Sequence, residues 1–274
     1  MNNIDLVKFK MKVVSFLRWR FLKPSVPKTV GSSIIFCTLG SKYGRKTFCL
    51  PQPNGRKLNV ISAGAGQDIS FDIELLNTFD SRVIILDPTP LAKKHVNEVF
   101  KHLGQKKAVE YSVSSKQQID AYDLELIKSE NLTFLPKALW NSNSLVKFYL
   151  PKDNARDISG SINAIQNYYK TSNNFIFVPT IQLNKVMSEQ GLNEIDILKL
   201  DIEGATLEVL TDIFSKNIYP YQLLIDFDEM HFPSFKSKVR SKKLFKLILK
   251  NGYDLIHRDN CDFTFIYTLS HPVP

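Results

Sequence analysis

The amino-acid sequence predicts an α/β fold with a mainly parallel, doubly wound sheet. From Leu58 onward, short apolar runs of strand length alternate with longer runs of helical periodicity. The last two apolar runs are separated only by a polar turn at 258–260, which predicts a terminal antiparallel hairpin. With 274 residues, 43% of them hydrophobic, the chain can bury one large core, so we expect a single main domain.

The predicted elements follow one another with short turns between them. Strands are predicted at 58–64, 81–87, 132–140, 144–151, 195–201 and 221–228, and helices at 68–79, 90–104, 205–216 and around 242–250. Gly104 and Asn251-Gly252 end two of these helices, because such residues readily adopt the conformation of a helix C-terminus. Since strand–helix alternation joins parallel neighbours, the carboxyl ends of these strands should share one edge of the sheet.

Residues 1–57 are predicted to form a basic N-terminal extension, and residues 58–274 the main domain. The extension holds twelve Lys or Arg against the single acid Asp5, whereas the remainder holds 24 basic and 26 acidic residues. Apolar and basic residues are interleaved over 4–22, which suits attachment to an anionic membrane surface or a protein partner. A solvated cap packed on the main domain is the alternative. Two short strands are expected about the turn Gly40–Gly44.

Targeting and cysteine signals indicate a reducing compartment. No apolar run reaches the roughly 18 residues needed to span a bilayer, and the polar start MNNID does not match a secretion signal. Cys37, Cys49 and Cys261 are too few and too scattered for a disulfide framework or a zinc site. We therefore expect a cytoplasmic protein, attached at most to the periphery of a membrane.

The segment ISAGAGQD carries the strongest local signal for a ligand. Gly64 and Gly66 follow an apolar strand and Asp68 opens the next helix, a turn that lets the backbone approach a ligand closely. Asp87 ends the following strand 23 residues after Gly64, where nucleoside-binding α/β folds place an acid on the ribose. Ile69 replaces the third glycine of a dinucleotide turn, which favours a nucleoside without phosphates, such as S-adenosylmethionine, over NAD. A tight turn without a ligand is the alternative.

Two further strands end in clusters of titratable side chains. One cluster follows 195–201 and the other lies around the end of 221–228; their members are Asp201, Glu203, Asp226, Asp228, Glu229 and His231. Both should face the crevice beside the glycine turn, as an acid/base or metal cluster. The alternatives are a local cap for Glu203 and a solvated sheet edge for Asp226 and Asp228. The other four histidines lie in helix, strand or tail contexts and are expected at the surface.

These motifs resemble the FkbM-type methyltransferase family, a branch of the class I S-adenosylmethionine-dependent enzymes. The similar segments are ISAGAGQDISFDIEL, ILDPTP, LPKALW, VPTIQL, IDILKLDIEGATLEVL, QLLIDFDEMHF and GYDLIHRDNCDFTFIY, in this order over about residues 58–268. The resemblance implies the Rossmann-like class I methyltransferase fold with a seven-stranded sheet. The family's typical chemistry is O-methylation of a hydroxyl on a sugar, a glycan or a secondary metabolite. Residues 1–57 lie outside the resemblance.

The resemblance also implies roles for individual residues in binding S-adenosylmethionine. Asp87 would hold the ribose. The methionine part of the cofactor would lie near Ser62, Gly64, Gly66 and Asp68, and its adenine beside Ala138 and Leu139.

A hydroxyl acceptor is weakly acidic, so its methylation needs a general base or a metal ion. We expect His231 to be the base, with Asp201 or Glu229 orienting it and Glu203 beside them. A metal is not favoured. The alternative is Mg²⁺ held by Asp201 and Asp226, since magnesium binds through a few carboxylates and keeps several waters.

Two other classes of function stay open. A nucleic-acid methyltransferase or binder would use the basic extension, but residues 58–274 are slightly acidic and lack a known aromatic-plus-basic motif. Nucleic acid is therefore not favoured as a partner. A non-catalytic structural protein that binds the cofactor is the other class, and the intact candidate cofactor residues argue against it. The expected partner is a small-molecule or glycan acceptor.

Overall fold

The computed structural model describes residues 22–30, 34–50, 55–150, 160–162, 174–230 and 234–268. Within these ranges the strands are Phe36–Leu39 (β1), Lys46–Cys49 (β2), Leu58–Ala63 (β3), Ser81–Leu86 (β4), Leu132–Leu135 (β5), Ala138–Leu139 (β6), Leu145–Tyr149 (β7), Phe175–Ile181 (β8), Ile197–Leu200 (β9), Gln222–Asp226 (β10), Tyr253–Asp259 (β11) and Asp262–Tyr267 (β12). The α-helices are Ser70–Thr78 (α1), Pro90–Lys101 (α2), Leu183–Gln190 (α3), Thr206–Ser215 (α4) and Phe235–Lys250 (α5). All the strands and helices predicted above have counterparts here, and β8 and α3 are additional.

Seven strands form the central sheet, in the order β11-β12-β10-β9-β3-β4-β5. The five strands from β10 to β5 run parallel, and β12 lies antiparallel between β10 and β11. The mainly parallel seven-stranded sheet with a C-terminal antiparallel hairpin is therefore confirmed. Because parallel strands present their carboxyl ends at one edge, the turns after β3, β4, β9 and β10 lie together.

Helices cover both faces of this sheet. Helices α3, α4 and α5 form one core with the sheet, through residues such as Val186, Leu210 and Phe245. Helices α1 and α2 form a second core on the other face, through Ile73 and Val96. Strands β3 and β9 between the two cores are almost wholly buried, as expected for parallel strands with no solvated side.

The β1–β2 hairpin packs against the large sheet. Phe48 of β2 is fully buried and makes edge-on ring contacts with Phe71 and Phe79. The side-chain amide of Gln222 on β10 accepts a hydrogen bond from the backbone N–H of Cys49 and donates one to its carbonyl, at 2.7 and 2.9 Å. The two short strands are thus present, and they share a core with the chain that follows Leu58. Residues 1–21 lie outside the described part of the chain.

The run 132–140, predicted as one strand, forms two strands in different sheets. Pro136 interrupts it because proline has no N–H to donate to a strand ladder. Strand β5 before the proline joins the large sheet, while β6 after it joins β7 and β8 in a sheet of three strands with the order β6-β8-β7. Strands β6 and β7, which lie on either side of the NSNS turn, therefore both pair with β8 and not with each other.

The expectation that His95 lies at the surface was wrong. His95 is buried on the inner face of α2, and its Nε2 lies 2.8 Å from the hydroxyl of Tyr122. Burial lowers the pKa of His95 to about 4, so the ring is neutral at physiological pH. The described residues contain no helix long and apolar enough to cross a membrane.

Candidate active site

A cavity of about 580 Å³ opens at the carboxyl edge of the parallel strands. This volume is in the range of small-molecule sites, and the edge is where open α/β sheets bind their ligands. Its walls come from the turns after β3, β4, β9 and β10, from β6 and β7, and from the β1–β2 hairpin. Of the residues expected to bind cofactor, Gly64, Gly66, Asp68, Asp87, Ala138 and Leu139 line the cavity.

The glycine turn after β3 requires glycine for steric reasons. Gly64 and Gly66 have φ values of 89° and 52°, which L side chains rarely adopt. A Cβ added to Gly64 would overlap the carbonyl oxygen of Asp201 at the end of β9. The turn is therefore pressed against the tip of the neighbouring strand, and its backbone forms the floor of the cavity.

Asp87 at the tip of β4 holds this turn in place. Its Oδ2 accepts hydrogen bonds from the backbone N–H groups of Ala65 and Gly66, both at 2.9 Å. Its Oδ1 accepts from the backbone N–H and the hydroxyl of Thr89 at 2.8 and 2.6 Å. Four donors thus converge on a carboxylate that has about four lone-pair sites. A ribose hydroxyl would have to share or displace one of them.

Asp68, the second acid of the turn, is bound by the hairpin. Its Oδ2 accepts a hydrogen bond from the hydroxyl of Ser41 at 2.6 Å and from the amide of Gln117 at 2.9 Å. Gly44 lies so close that an added Cβ would sit 2.9 Å from the Asp68 carboxylate. The hairpin therefore forms one side of the site, although all the site residues predicted from the sequence lie after Leu58.

Part of the cavity wall is apolar. Ala138 and Leu139 of β6 are nearly buried, and Phe148 and Ile162 continue the same surface. An apolar wall beside a polar turn suits a ligand with a flat, weakly polar ring at one end and hydroxyls at the other.

Among the described residues, five carboxylates line the part of the cavity next to the ends of β9 and β10 and the start of β12. They are Asp201, Glu203, Asp226, Asp228 and Asp262. Asp201, Glu203 and Asp228 each present an oxygen within 4.8 Å of the other two, a spacing that could hold a metal ion. The structure thus brings together four of the six side chains expected at the strand tips, namely Asp201, Glu203, Asp226 and Asp228. Burial, and then the neighbouring carboxylates, raise the pKa of Asp228 well above its ordinary value.

Among the described residues, Lys46 is the cation that lies within this group of carboxylates, and it was not predicted from the sequence. Its ammonium pairs with Asp262 and lies 3.8 Å from Asp201, although the side chain is only 7% exposed. Burial acts to lower the pKa of Lys46, but the surrounding aspartates outweigh it and raise the pKa above its ordinary value. The available signal was the two-residue period of β2, which places Lys46 on the same face as the core residue Phe48.

Glu229 and Ser62 do not line the cavity among the described residues. Glu229 is buried, and its Oε1 accepts from Arg240 Nε at 3.3 Å. Arg240 also makes a bidentate pair with Glu208 and donates to the carbonyl of Gly204, so it fastens α5 to the turn after β9. Ser62 is fully buried, and its hydroxyl accepts a hydrogen bond from Lys199. His231 is outside the described part of the chain, and its position relative to Asp201 stays a prediction.

The fold and the site define a class of protein. Five parallel strands, an antiparallel strand inserted next to the sheet edge, a glycine turn after β3 and an acid after β4 form a Rossmann-like methyltransferase fold. The sequence matches the family model described as methyltransferase FkbM domain over residues 30–255, and the chain belongs to this family. The match begins upstream of Leu58 and includes the hairpin.

Two other comparisons add little. No curated protein matches the chain. The fibrillarin pre-rRNA processing protein of Methanococcus jannaschii is similar in structure with a TM-score of 0.36 and 9% sequence identity, over 89% of this chain and 87% of that chain. A likeness this low has no bearing on function.

Proposed function

We propose that the protein is an S-adenosylmethionine-dependent O-methyltransferase whose acceptor is a hydroxyl of a sugar, a glycan or a secondary metabolite. The observation that carries the proposal is that one cavity joins two different environments. The glycine turn, Asp87 and the apolar wall of β6 suit an adenosyl group. The carboxylates at the tips of β9 and β10 suit a hydroxyl-bearing acceptor, because carboxylates accept hydrogen bonds from hydroxyls.

The bound cofactor would supply a methyl group on a sulfonium; the acceptor oxygen would bond to this methyl in line as the carbon–sulfur bond breaks, and neutral S-adenosylhomocysteine would leave. The protein then has to align the two partners and accept the hydroxyl proton. The acidic group beside the glycine turn favours a cationic sulfonium in its neighbourhood, because opposite charges attract. This electrostatic fit and the missing third glycine both favour S-adenosylmethionine over NAD.

Cofactor binding is tested by calorimetric titration with S-adenosylhomocysteine and with NAD. We expect binding of the first only. Replacing Asp87 with Asn should weaken binding about 10- to 100-fold, since a charge-assisted hydrogen bond contributes about 1.5–3 kcal/mol. We choose Asn because its side-chain oxygen can still accept hydrogen bonds from the N–H groups of Ala65 and Gly66, whereas Ala would leave those groups without an acceptor. The matched control is Asp80→Asn, an exposed acid at the opposite end of the same strand. If Asp87→Asn bound S-adenosylhomocysteine as tightly as Asp80→Asn does, Asp87 would not be the acid that binds the ribose.

For the proton we propose His231 as the general base with Asp201 beside it, and magnesium as the alternative. The carboxylates of Asp201, Glu203 and Asp228 fit a hard cation that binds few carboxylates and keeps its waters. With a histidine base, His231→Ala should lose about 10²- to 10⁴-fold in turnover and still bind cofactor, and a chelator should have little effect. Activity that disappears with chelator, returns with magnesium and survives His231→Ala would establish the metal instead.

We also propose that the enzyme is cytoplasmic and attaches to anionic membranes through basic segments of its chain. The interleaved basic and apolar residues before position 22 support this, and so does α5. That helix contains no acid, and its lysines at 236, 238, 242, 243, 246 and 250 are all exposed. Co-sedimentation with vesicles of neutral lipid, with and without phosphatidylglycerol, tests it. Deleting residues 1–21 should reduce binding to the anionic vesicles, and unchanged binding would exclude this segment.

A further inference from the structure

Lys199 lies on β9, with its ammonium between the sheet interior and the cavity. The residue is only 4% exposed, yet it contributes to the cavity wall. The sheet register places it opposite Ser62 of β3. Its Nζ donates a hydrogen bond to the carbonyl of Gly64 at 2.7 Å and to the hydroxyl of Ser62 at 3.3 Å. A buried cation is thus directed at the first residue of the glycine turn.

A buried carboxylate lies on the inner side of Lys199. Asp72, in the first turn of α1, is 1% exposed. Burial raises the pKa of Asp72, while Lys199 and then Ser62 act to lower it. Neither oxygen of Asp72 has a hydrogen-bond partner among the described residues, so its attraction to Lys199 acts over a longer distance, and the hydrogen bonds to Ser62 and Gly64 are what hold the ammonium.

Lys199 has a donor left for a ligand. An ammonium has three N–H donors, and the described residues accept from Lys199 at two positions. Lys46 and Lys199 are the cationic side chains among the described residues that line the cavity. Lys46 is already paired with Asp262 and lies near Asp201. An anionic group bound beside the glycine turn would therefore meet Lys199.

We propose that Lys199 binds the carboxylate of the cofactor's methionine part. The proposal rests on the proposed use of S-adenosylmethionine. It gives the buried lysine a ligand of opposite charge, and it adds a cofactor-binding residue from β9 to those on β3, β4 and β6.

Two ligands that differ only in the carboxylate provide the test. S-adenosylhomocysteine carries it, whereas S-adenosyl-3-thiopropylamine keeps the amine and lacks the carboxylate. Calorimetric titration of the full chain should show that the wild-type protein prefers S-adenosylhomocysteine. In Lys199→Met the affinity for S-adenosylhomocysteine should fall about 10- to 100-fold, in keeping with loss of a charged hydrogen bond, and that for the amine should change less than about two-fold. Lys185→Met, at an exposed lysine of α3, is the matched control.

Loss of Lys199 would leave Asp72 as a buried, uncompensated acid, which is destabilising. The double variant Lys199→Met/Asp72→Asn removes both charges and should show the same loss of selectivity if the single variant does not fold. Equal weakening of both ligands, or no change in either, would overturn the proposal while leaving the proposed function intact. A wild-type protein that binds neither ligand would instead refute the proposed function and this inference with it.

Discussion

Replacing Lys46 with methionine should destabilise the protein, because Lys46 is the cation that compensates the acidic group at the strand tips. Methionine keeps the length and apolar packing of the lysine stem and removes only the charge. The ammonium pairs with Asp262 of β12 and approaches Asp201, which directly follows β9, so its loss affects contacts between the hairpin and two strands of the large sheet.

The magnitude follows from the distance and the burial. At the 3.8 Å between Lys46 Nζ and Asp201 Oδ2, two unit charges attract by about 1 kcal/mol in water and about 4 kcal/mol at an effective dielectric constant of about 20. Removing one partner of a buried pair typically costs about 3–5 kcal/mol. The side chains of Asp201 and Asp262 are 35% and 40% exposed, and water can therefore solvate them in the variant. We expect a loss of about 2–3 kcal/mol in the free energy of unfolding at pH 7.

Urea unfolding of the cofactor-free protein measures this loss. Lys42→Met, in the exposed turn of the same hairpin, should change the free energy of unfolding by less than about 0.5 kcal/mol. The double variant Lys46→Met/Asp262→Asn should recover part of the loss, because it removes the uncompensated acid as well. The loss should also shrink as the pH falls and the remaining carboxylates take up protons. A Lys46→Met protein as stable as Lys42→Met would refute the assigned role of Lys46.

Three further predictions concern the cavity and the residues that support it. Asp228→Asn should raise the free energy of unfolding at pH 7 by about 0.5–2 kcal/mol. The folded-state pKa of Asp228 lies above its unfolded value, so this gain should disappear as the pH falls toward the ordinary value of 3.8, and a pH series of unfolding curves checks it. Gly64→Ala should abolish cofactor binding in a titration, because its Cβ would overlap the carbonyl of Asp201; normal binding would contradict the described turn. Arg240→Met should lower the unfolding free energy by about 2–4 kcal/mol, since Glu229 would lose its partner while buried, and an unchanged urea midpoint would disprove that coupling.

The fold could be predicted because its signals are local. Strand and helix periods after Leu58 determine the element order, and parallel strands joined by helices have their carboxyl ends at one edge. The glycines after β3, the acid after β4 and the acids after β9 and β10 were therefore expected around one crevice, and the structure places them there with the exception of Glu229. Pro136 is also a local signal, because a proline inside a predicted strand indicates a break, and the structure has that break between β5 and β6.

The sequence by itself determined the sheet, its topological class and the residues at the strand tips. The tertiary structure decided which side chains complete the site and which are used elsewhere. Lys46 reaches the acids only because the hairpin packs across the sheet, whereas Glu229, close to those acids in sequence, is held by Arg240 from α5. Periodicity identifies residues that share one face of an element, which lie three or four positions apart in a helix and two apart in a strand. An ion pair between residues far apart in the chain depends on how whole elements pack, which local periodicity does not encode.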